Sequence, residues 1–223
     1  MKMRDESFSK RCAALAPKLL KAFESRYFEA YYCENAEAAA DSALGLIPEN
    51  ASVSWGGSVT IREIGLPERL HAGNYRVVDR ERAATLSERM DLMRQALLCD
   101  FYLTSVNALS EDAQLVNVDG NGNRVAAMAF GPKNVIVVVG MNKLCKTVED
   151  AQVRARTTAA PLNAQRIAGD RFLKTERALP CVRTGVCSDC KSDECICAIT
   201  VTTRLCKPAR RVKLILVGEP LGD

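Results

Sequence analysis

The stretch NVIVVVG, residues 134–140, contains an unbroken run of β-branched apolar residues at 135–139 and ends in glycine. Such a run is typical of a strand that is buried on both faces, as in parallel sheets covered by helices. Two further apolar runs, ASVSW at 51–55 and CDFYLTSV at 99–106, also predict strands, and each leads into a polar loop. Together with the helical segments between them, these runs predict an α/β domain with a largely parallel sheet and flanking helices.

Helical and strand patterns alternate around this run. Apolar residues recur at helical spacing over 5–30, 34–46, 82–98 and 148–168, and Pro161 is expected to kink or divide the last helix. The stripe of leucine and methionine within 82–98 is expected to face the core. Shorter strands are predicted at 74–80, 196–204 and 211–222. The runs AQLVNV and RVAAMAF, separated by DGNGN at 119–123, predict an antiparallel hairpin.

These patterns divide the chain into two parts. Residues 1–50 are predicted to be an N-terminal helical segment packed on the main domain. Residues 51–223 form the α/β domain, which includes a cysteine-rich insertion at 177–207, the one break in composition along the chain.

The composition excludes several classes of function. The net charge is +4, the basic residues form no long run and aromatic residues make up only 5%, so binding to nucleic acid is not expected. No apolar stretch approaches the roughly 20 residues of a membrane span, and the charged N-terminus has no continuous apolar run, so no secretory signal is expected. We therefore expect a cytoplasmic protein with no membrane contact. Thiols stay reduced in that compartment, so the ten cysteines favour a metal site before disulfides.

Polar loops follow three of the predicted strands, where α/β sheets bind their ligands. The first loop offers Gly56, Gly57, Ser58 and Thr60, whose small residues and helix-capping hydroxyls suit a carboxylate or phosphate. The other two offer Asn107 with Glu111, and Asn142 with Lys143. A plain turn, a capping side chain and a solvated lysine are the structural alternatives. Taken together, the loops predict a pocket for a small anionic ligand.

A serine-histidine-acid triad is a weaker hypothesis. His71 is the only histidine, and Ser58 and Ser105 lie on other segments. No GxSxG nucleophile elbow is present, and a lone histidine beside a strand is more often structural.

Five cysteines crowd residues 181–197, at the spacing Cys181-x5-Cys187-x2-Cys190-x4-Cys195-x-Cys197. Four thiolates close a tetrahedral zinc site or hold an iron–sulfur cluster. Ligation by sulfur alone favours an iron–sulfur cluster, structural zinc is the close rival, and reduced thiols without metal are the remaining alternative. The spacing allows Cys181, Cys187 and Cys190 with either Cys195 or Cys197.

Several stretches together resemble the LUD family, the lactate-utilisation proteins. They are SWGGSVTIREIGL at 54–66, the segment 104–144, AAPLNAQRIA at 159–168, PCVRTGVCSDCKSDECICAITV at 180–201 and ILVGEPLG at 215–222. The resemblance implies a NagB/RpiA/CoA-transferase-like fold. It also implies a cysteine pattern that selects Cys181, Cys187, Cys190 and Cys197, whereas Cys195 falls where that pattern has another residue. The family takes its name from proteins needed to oxidise L-lactate to pyruvate alongside iron–sulfur partners.

Three hypotheses follow. The first is an accessory or electron-transfer component of lactate-like organic-acid oxidation that carries a 4Fe–4S cluster and works with iron–sulfur or other redox partner proteins. The second is an isomerase or acyl- or CoA-transfer enzyme with structural zinc, in which Glu111 is the general base. The third is a non-catalytic metal-sensing or assembly module. Whether the chain is catalytic, its substrate and its assembly as a homo-oligomer stay open.

Overall fold

The computed structural model describes residues 2–170 and 179–223 of the 223-residue chain. Its strands, in chain order, are β1 Glu29–Cys33, β2 Ser52–Trp55, β3 Arg76–Val78, β4 Phe101–Thr104, β5 Ala108–Ser110, β6 Leu115–Asp119, β7 Asn134–Gly140, β8 Leu144–Cys145, β9 Ile199–Thr203 and β10 Val212–Val217. Its helices include α1 Lys2–Ser25, α2 Ala36–Gly45, α3 Val59–Glu63, α4 Leu66–Ala72, α5 Leu86–Gln95, α6 Asn123–Ala129, α7 Val148–Arg154 and α8 Ala160–Ile167.

The main sheet has the order β1-β10-β7-β4-β2-β3, and all of its paired strands are parallel. The run NVIVVVG is the inner strand β7, whose side chains alternate between two buried faces. Ile136 and Val138 pack with helices α2, α3 and α4, whereas Val137 and Val139 pack with α1. The predicted α/β class with a largely parallel sheet is therefore confirmed.

A second, smaller sheet has the order β8-β5-β6-β9. Strands β5 and β8 are parallel, while β6 is antiparallel to both β5 and β9. Alanines of α7 and of the segment after it pack on this sheet. The cysteine-rich region predicted as an insertion thus contributes strand β9 to a sheet.

Two elements differ from the sequence predictions, namely the first helix and the predicted hairpin. The predicted helix 5–30 ends at Ser25, and β1 follows it as a strand that pairs with β10. The predicted hairpin around 119–123 is wrong, because RVAAMA forms helix α6. The Asp119 carboxylate accepts from the Val125 amide at the start of α6, and the alanine-rich sequence favours a helix. The antiparallel pair of this region is β5 with β6 instead.

The stripe in α5 is only partly turned to the core. Met93 is buried, but Leu86 is 49% exposed. Leu86, Met90 and Met93 all line an open cavity, so the predicted apolar face borders that cavity instead of lying wholly in the core.

The helix predicted over 148–168 is interrupted as expected. A five-residue π-helical segment, Ala155–Ala159, separates α7 from α8 and directly precedes Pro161 in the first turn of α8. A proline has no N–H for the helical ladder, so the regular hydrogen bonding is interrupted here, and Pro161 lies where a new helix begins. Within the described residues, no helix is both long enough and apolar enough to cross a bilayer.

Candidate functional site

A cavity of about 340 Å³ lies at the carboxyl ends of the main strands. Its lining includes Gly57 and Ser58 after β2, Ser105 and Asn107 after β4, and Lys143 after β7. This is the edge of the sheet at which open α/β folds bind their ligands. The structure thus brings residues of all three predicted loops to one cavity.

The loop after β2 is shaped by close packing. The Ser58 hydroxyl accepts a hydrogen bond from the Ile61 amide at 3.3 Å and caps α3, as predicted. A Cβ on Gly57 would collide with the Arg80 guanidinium, and a Cβ on Gly56 would lie 3.0 Å from the Tyr102 hydroxyl. Helix α3 has only five residues, so side chains supply the positive charge of this cavity.

The Tyr102 hydroxyl lies in the core below this loop. It is buried and has no hydrogen-bond partner among the described residues, and burial raises the pKa of Tyr102 to about 12. The group therefore stays protonated at neutral pH and is a hydrogen-bond donor rather than a base.

Lys143 is buried, with 4% of its surface exposed. Its Nζ donates to the hydroxyls of Thr60 at 3.2 Å and Ser105 at 3.5 Å. Burial, followed by the charge of Arg154, lowers the pKa of Lys143 to about 8. Thr60 therefore takes part in the site through Lys143.

Asn107 lines the cavity, and its side chain also forms a hydrogen bond with β6 of the second sheet. Its Oδ1 accepts from the Val118 amide at 3.0 Å and from Arg124 Nη2 at 2.8 Å. Asn142 has a different environment, because its Oδ1 accepts from the Leu221 amide at 3.1 Å. Asn142 and Gly56 are not part of the lining.

Glu111 lies outside the cavity lining. Its Oε2 accepts hydrogen bonds from Lys146 Nζ at 2.9 Å and Lys18 Nζ at 3.0 Å. These hydrogen bonds lower the pKa of Glu111, which makes its carboxylate a weaker base. We therefore give Glu111 no role in the cavity.

His71 is also held away from the serines of the triad hypothesis. Its Nε2 lies 3.0 Å from an Asp79 oxygen, and its ring contacts Trp55 edge to face at 5.7 Å between centroids. Ser58 caps a helix and Ser105 accepts from Lys143, so the structure does not assemble a triad from these residues.

Sequence reasoning missed the arginines that line the cavity, which are Arg62, Arg80, Arg89, Arg124 and Arg166. Arg124 pairs with Asp119 at 2.5 Å, Arg89 with Asp170 at 3.1 Å, and Arg80 with Glu81 at 3.2 Å. These residues come mainly from helices and turns, so they do not belong to the strand-end loops from which the sequence predicts the site.

The charges in the lining fall into paired and unpaired sets. Among the described residues, Arg62, Arg166 and Lys143 form no salt bridge, and Arg166 Nη2 donates to the Gly57 carbonyl at 3.2 Å. Asp193 and Glu194 of the cysteine-rich segment also line the cavity. Further carboxylates of the lining are Glu81, Asp119, Asp170 and Asp223, and the charge of Asp223 acts on Lys143 and Arg166. The cavity therefore presents cations without salt bridges among carboxylates, with Asp193 and Glu194 on the cysteine-rich side.

A second cavity, of about 330 Å³, is lined by all five clustered cysteines, which are Cys181, Cys187, Cys190, Cys195 and Cys197. We call it the thiol pocket. The Sγ atoms of Cys195 and Cys197 lie 3.5 Å apart. Burial, followed by Cys195, raises the pKa of Cys197 to about 12.

The donor set of the thiol pocket fits a four-thiolate centre in kind, because sulfur is the ligand of iron–sulfur clusters and of structural zinc. The arrangement is not that of a preformed metal site. Over residues 2–170 and 179–223, no group of three or more histidine, cysteine, aspartate or glutamate side chains stands close enough together to hold a metal ion.

The two cavities share a wall formed by Cys195, Ile196 and Ala198. This wall packs tightly on the end of β6: a Cβ on Gly120 would lie 3.0 Å from both the Cys195 carbonyl oxygen and the Ile196 Cα. Cys195, the cysteine outside the expected ligand pattern, is therefore the thiol that borders both spaces.

Comparison with known proteins identifies the family. The family model described as the LUD domain matches residues 16–217. The chain belongs to the LUD domain family. The family resemblance predicted from the sequence is thereby confirmed, and the match covers both the cavity and the cysteine-rich segment of this LUD domain.

One solved structure supports the fold of the LUD domain. A crystal structure of a DUF162 family protein from Deinococcus radiodurans matches with a TM-score of 0.50 and 15% identity, covering 92% of this chain and 98% of the other. The δ subunit of eIF2B from Chaetomium thermophilum matches with a TM-score of 0.34 and 14% identity, over 61% of this chain and 57% of the other. No curated protein matches the chain.

Proposed function

We propose that this LUD-domain protein is an accessory, electron-transferring component of organic-acid oxidation. In this role it binds a small organic-acid anion in the 340 Å³ cavity and carries an iron–sulfur centre in the thiol pocket. The observation that supports the proposal most directly is the wall of Cys195, Ile196 and Ala198, which the two cavities share. Electron transfer requires short distances, and one strip of chain separates the two spaces.

The unpaired cations suit a carboxylate. Arg62 and Arg166 can form the paired N–H contacts that guanidinium groups make with carboxylates, and Lys143 adds a further donor. Arg166 is oriented by its hydrogen bonds to the Gly57 carbonyl and to Asn163 Oδ1. The glycine turn and two helices thus converge on the carboxylate of the ligand.

The thiols suit the redox part of the proposal. Cys181, Cys187, Cys190 and Cys197 would hold the centre, and a 4Fe–4S cluster would supply one-electron transfer there. Conversion of a 2-hydroxy acid to a 2-oxo acid releases two electrons and two protons, so a redox partner protein must receive the electrons.

The first experiment is purification without oxygen, followed by measurement of iron, acid-labile sulfide and zinc and by visible absorption spectroscopy. The proposal expects iron and sulfide in near-equal amounts and a broad visible absorption that bleaches on reduction. Stoichiometric zinc in a colourless anaerobic preparation would contradict it. That outcome would instead favour an isomerase or acyl- or CoA-transfer enzyme with a structural zinc site.

The anion cavity is tested separately by calorimetric titration with L-lactate, pyruvate and inorganic phosphate. The proposal expects the carboxylates to bind and the signal to be lost in a variant that lacks Arg62 and Arg166. Tight binding of phosphate with silence for both carboxylates would contradict the organic-acid assignment.

A further inference from the structure

The amine of Lys143 lies in a different environment from those of Lys18 and Lys146, which form salt bridges with Glu111. Lys18 and Lys146 are exposed and share the Glu111 carboxylate. Lys143 Nζ is buried, lines the 340 Å³ cavity, donates to the hydroxyls of Thr60 and Ser105, and packs near Gly222. Among the described residues, no carboxylate lies within ion-pair distance of Lys143 Nζ.

The surroundings of Lys143 favour its neutral form. Desolvation is the largest cause, Arg154 and Arg124 add repulsion, and Glu63 and Asp223 act in the opposite direction. With a pKa of about 8, roughly a tenth of the amine is neutral at pH 7. Desolvation and neighbouring cations are the two means by which enzymes activate a lysine as a nucleophile.

We infer that Lys143 forms an imine with the carbonyl carbon of a 2-oxo acid held in the cavity. The Nζ lone pair attacks that carbon, a C–N bond forms and the C=O π bond opens, while one proton passes from nitrogen to oxygen to give a carbinolamine. The second nitrogen proton then passes to the hydroxyl, the C–O bond breaks, and water leaves as the C=N bond forms. The step exchanges one carbonyl for one imine and one water, and it requires neither an oxidant nor a reductant.

The neighbouring arginines and hydroxyls have different roles in this step. Arg62 and Arg166 hold the carboxylate of the 2-oxo acid, while the carbonyl one carbon away faces the amine. The hydroxyls of Thr60 and Ser105 already contact Nζ, so they are placed to pass a proton to the departing oxygen. The ligand class follows from the chemistry, because a 2-hydroxy acid has the carboxylate but no carbonyl to attack.

The inference is tested by trapping. The protein is incubated with pyruvate and sodium borohydride, which reduces an imine to a stable secondary amine, and the modified residue is located by peptide mass spectrometry. We expect one adduct, on Lys143, with none after incubation with L-lactate. Lys143→Arg should lose this adduct, whereas the matched variant Lys146→Arg should keep it.

Two results would overturn the inference. They are the absence of a Lys143 adduct in folded wild-type protein, and a spread of adducts over exposed lysines with no preference for Lys143. Site mapping on wild-type protein decides the matter even if Lys143→Arg fails to fold, and Lys143→Gln provides a second variant. Circular dichroism identifies the variants that are folded.

The inference rests on the anion cavity of the proposed function but not on the thiol pocket, so the two fail separately. An iron–sulfur spectrum without a Lys143 adduct overturns the imine and leaves the redox proposal intact. A Lys143 adduct in a colourless zinc protein supports the imine and contradicts the redox proposal.

Discussion

The 340 Å³ cavity and the thiol pocket are neighbours of nearly equal volume, yet they are built in different ways. The cavity takes its central groups from the ends of β2, β4 and β7, whose strands are buried on both faces. The thiols lie on residues 181–197, where regular structure is confined to the short helix Pro180–Thr184. The core therefore shapes the cavity, whereas the thiol pocket has little core of its own.

This difference teaches how each region can acquire function. Buried strands fix Lys143 and Ser105 without a ligand, so the cavity is organised before anything binds. The thiols line one space without converging on a point. A metal centre would supply the ordering that the surrounding chain does not provide.

The largest effect is expected from replacing Cys181, Cys187, Cys190 and Cys197 with serine. The variant should lose its bound metal entirely, yet it should bind organic-acid anions as the wild type does, because the cavity is fixed by strands. Metal analysis and calorimetric titration measure the two properties. Cys33→Ser, outside the thiol pocket, is the control and should keep its metal. Metal retained by the fourfold variant would show that other groups hold it.

The converse change affects the core. Ile136→Ala removes a fully buried side chain of β7 and should lower the free energy of unfolding by about 2 to 5 kcal/mol. Urea denaturation measures this loss, and Ile199→Ala on the exposed face of β9 is the matched control, with a much smaller cost. Metal content per folded molecule should stay unchanged. A selective loss of metal would mean that the thiol pocket depends on the main sheet.

Lys143→Met should alter the dependence of stability on pH. The folded-state pKa of about 8 lies below the unfolded value, so between these values the unfolded chain binds the extra proton. Wild-type stability should therefore rise by about 2 to 3 kcal/mol relative to Lys143→Met between pH 7 and pH 10. Denaturation at both pH values measures this difference, and parallel curves would contradict a depressed pKa.

Arg166→Met should weaken the binding of organic-acid anions. A hydrogen bond to a charged group contributes about 1.5 to 3 kcal/mol, which corresponds to roughly a 10- to 100-fold loss of affinity. Titration calorimetry measures the loss, and Arg94→Met is the control because Arg94 is exposed and pairs with Asp91. Equal losses in the two variants would point to overall charge rather than to the cavity.

The smallest effect is expected at the contact between α8 and the cysteine-rich segment. Gln165 Nε2 donates to the carbonyls of Cys181 at 3.2 Å and Val182 at 2.7 Å. Gln165→Ala should destabilise this segment locally by about 1 kcal/mol and speed its proteolysis. Gln152→Ala, which removes a hydrogen bond to Thr202, should leave that cleavage rate unchanged.

The sequence predicted the parts of the molecule that depend on local pattern. The run NVIVVVG identified the inner strand, and loops after three strands identified Gly57, Ser58, Asn107 and Lys143 as neighbours. Strand β1 was missed because EAYYC is short and pairs with β10, about 180 residues further along the chain. Helix α6 was misread because Asp-Gly and Asn-Gly also precede helices when a carboxylate such as Asp119 caps the first turn.

The arginines of the cavity could not be predicted from spacing alone. Arg80 and Arg166 both contact Gly57, yet they approach it from segments more than 80 residues apart. Tertiary packing creates this proximity, and an amphipathic pattern assigns such arginines to a solvated face. The burial of Lys143 was hidden for the same reason, because a lysine at a strand end is ordinarily exposed.

The π-helical segment Ala155–Ala159 determines which faces of α8 point to the two cavities. Arg156 on this segment borders the thiol pocket and Ala159 borders the cavity; beyond it, Pro161 faces the thiols while Asn163 and Arg166 face the anion site. A π turn corresponds to one residue inserted into an α-helix, and each residue advances the helix by about 100°. Deleting a single residue there would turn α8 by that angle and carry Arg166 away from its cavity. The extra residue thus places side chains that line the thiol pocket and side chains that line the 340 Å³ cavity on adjoining faces of one helix.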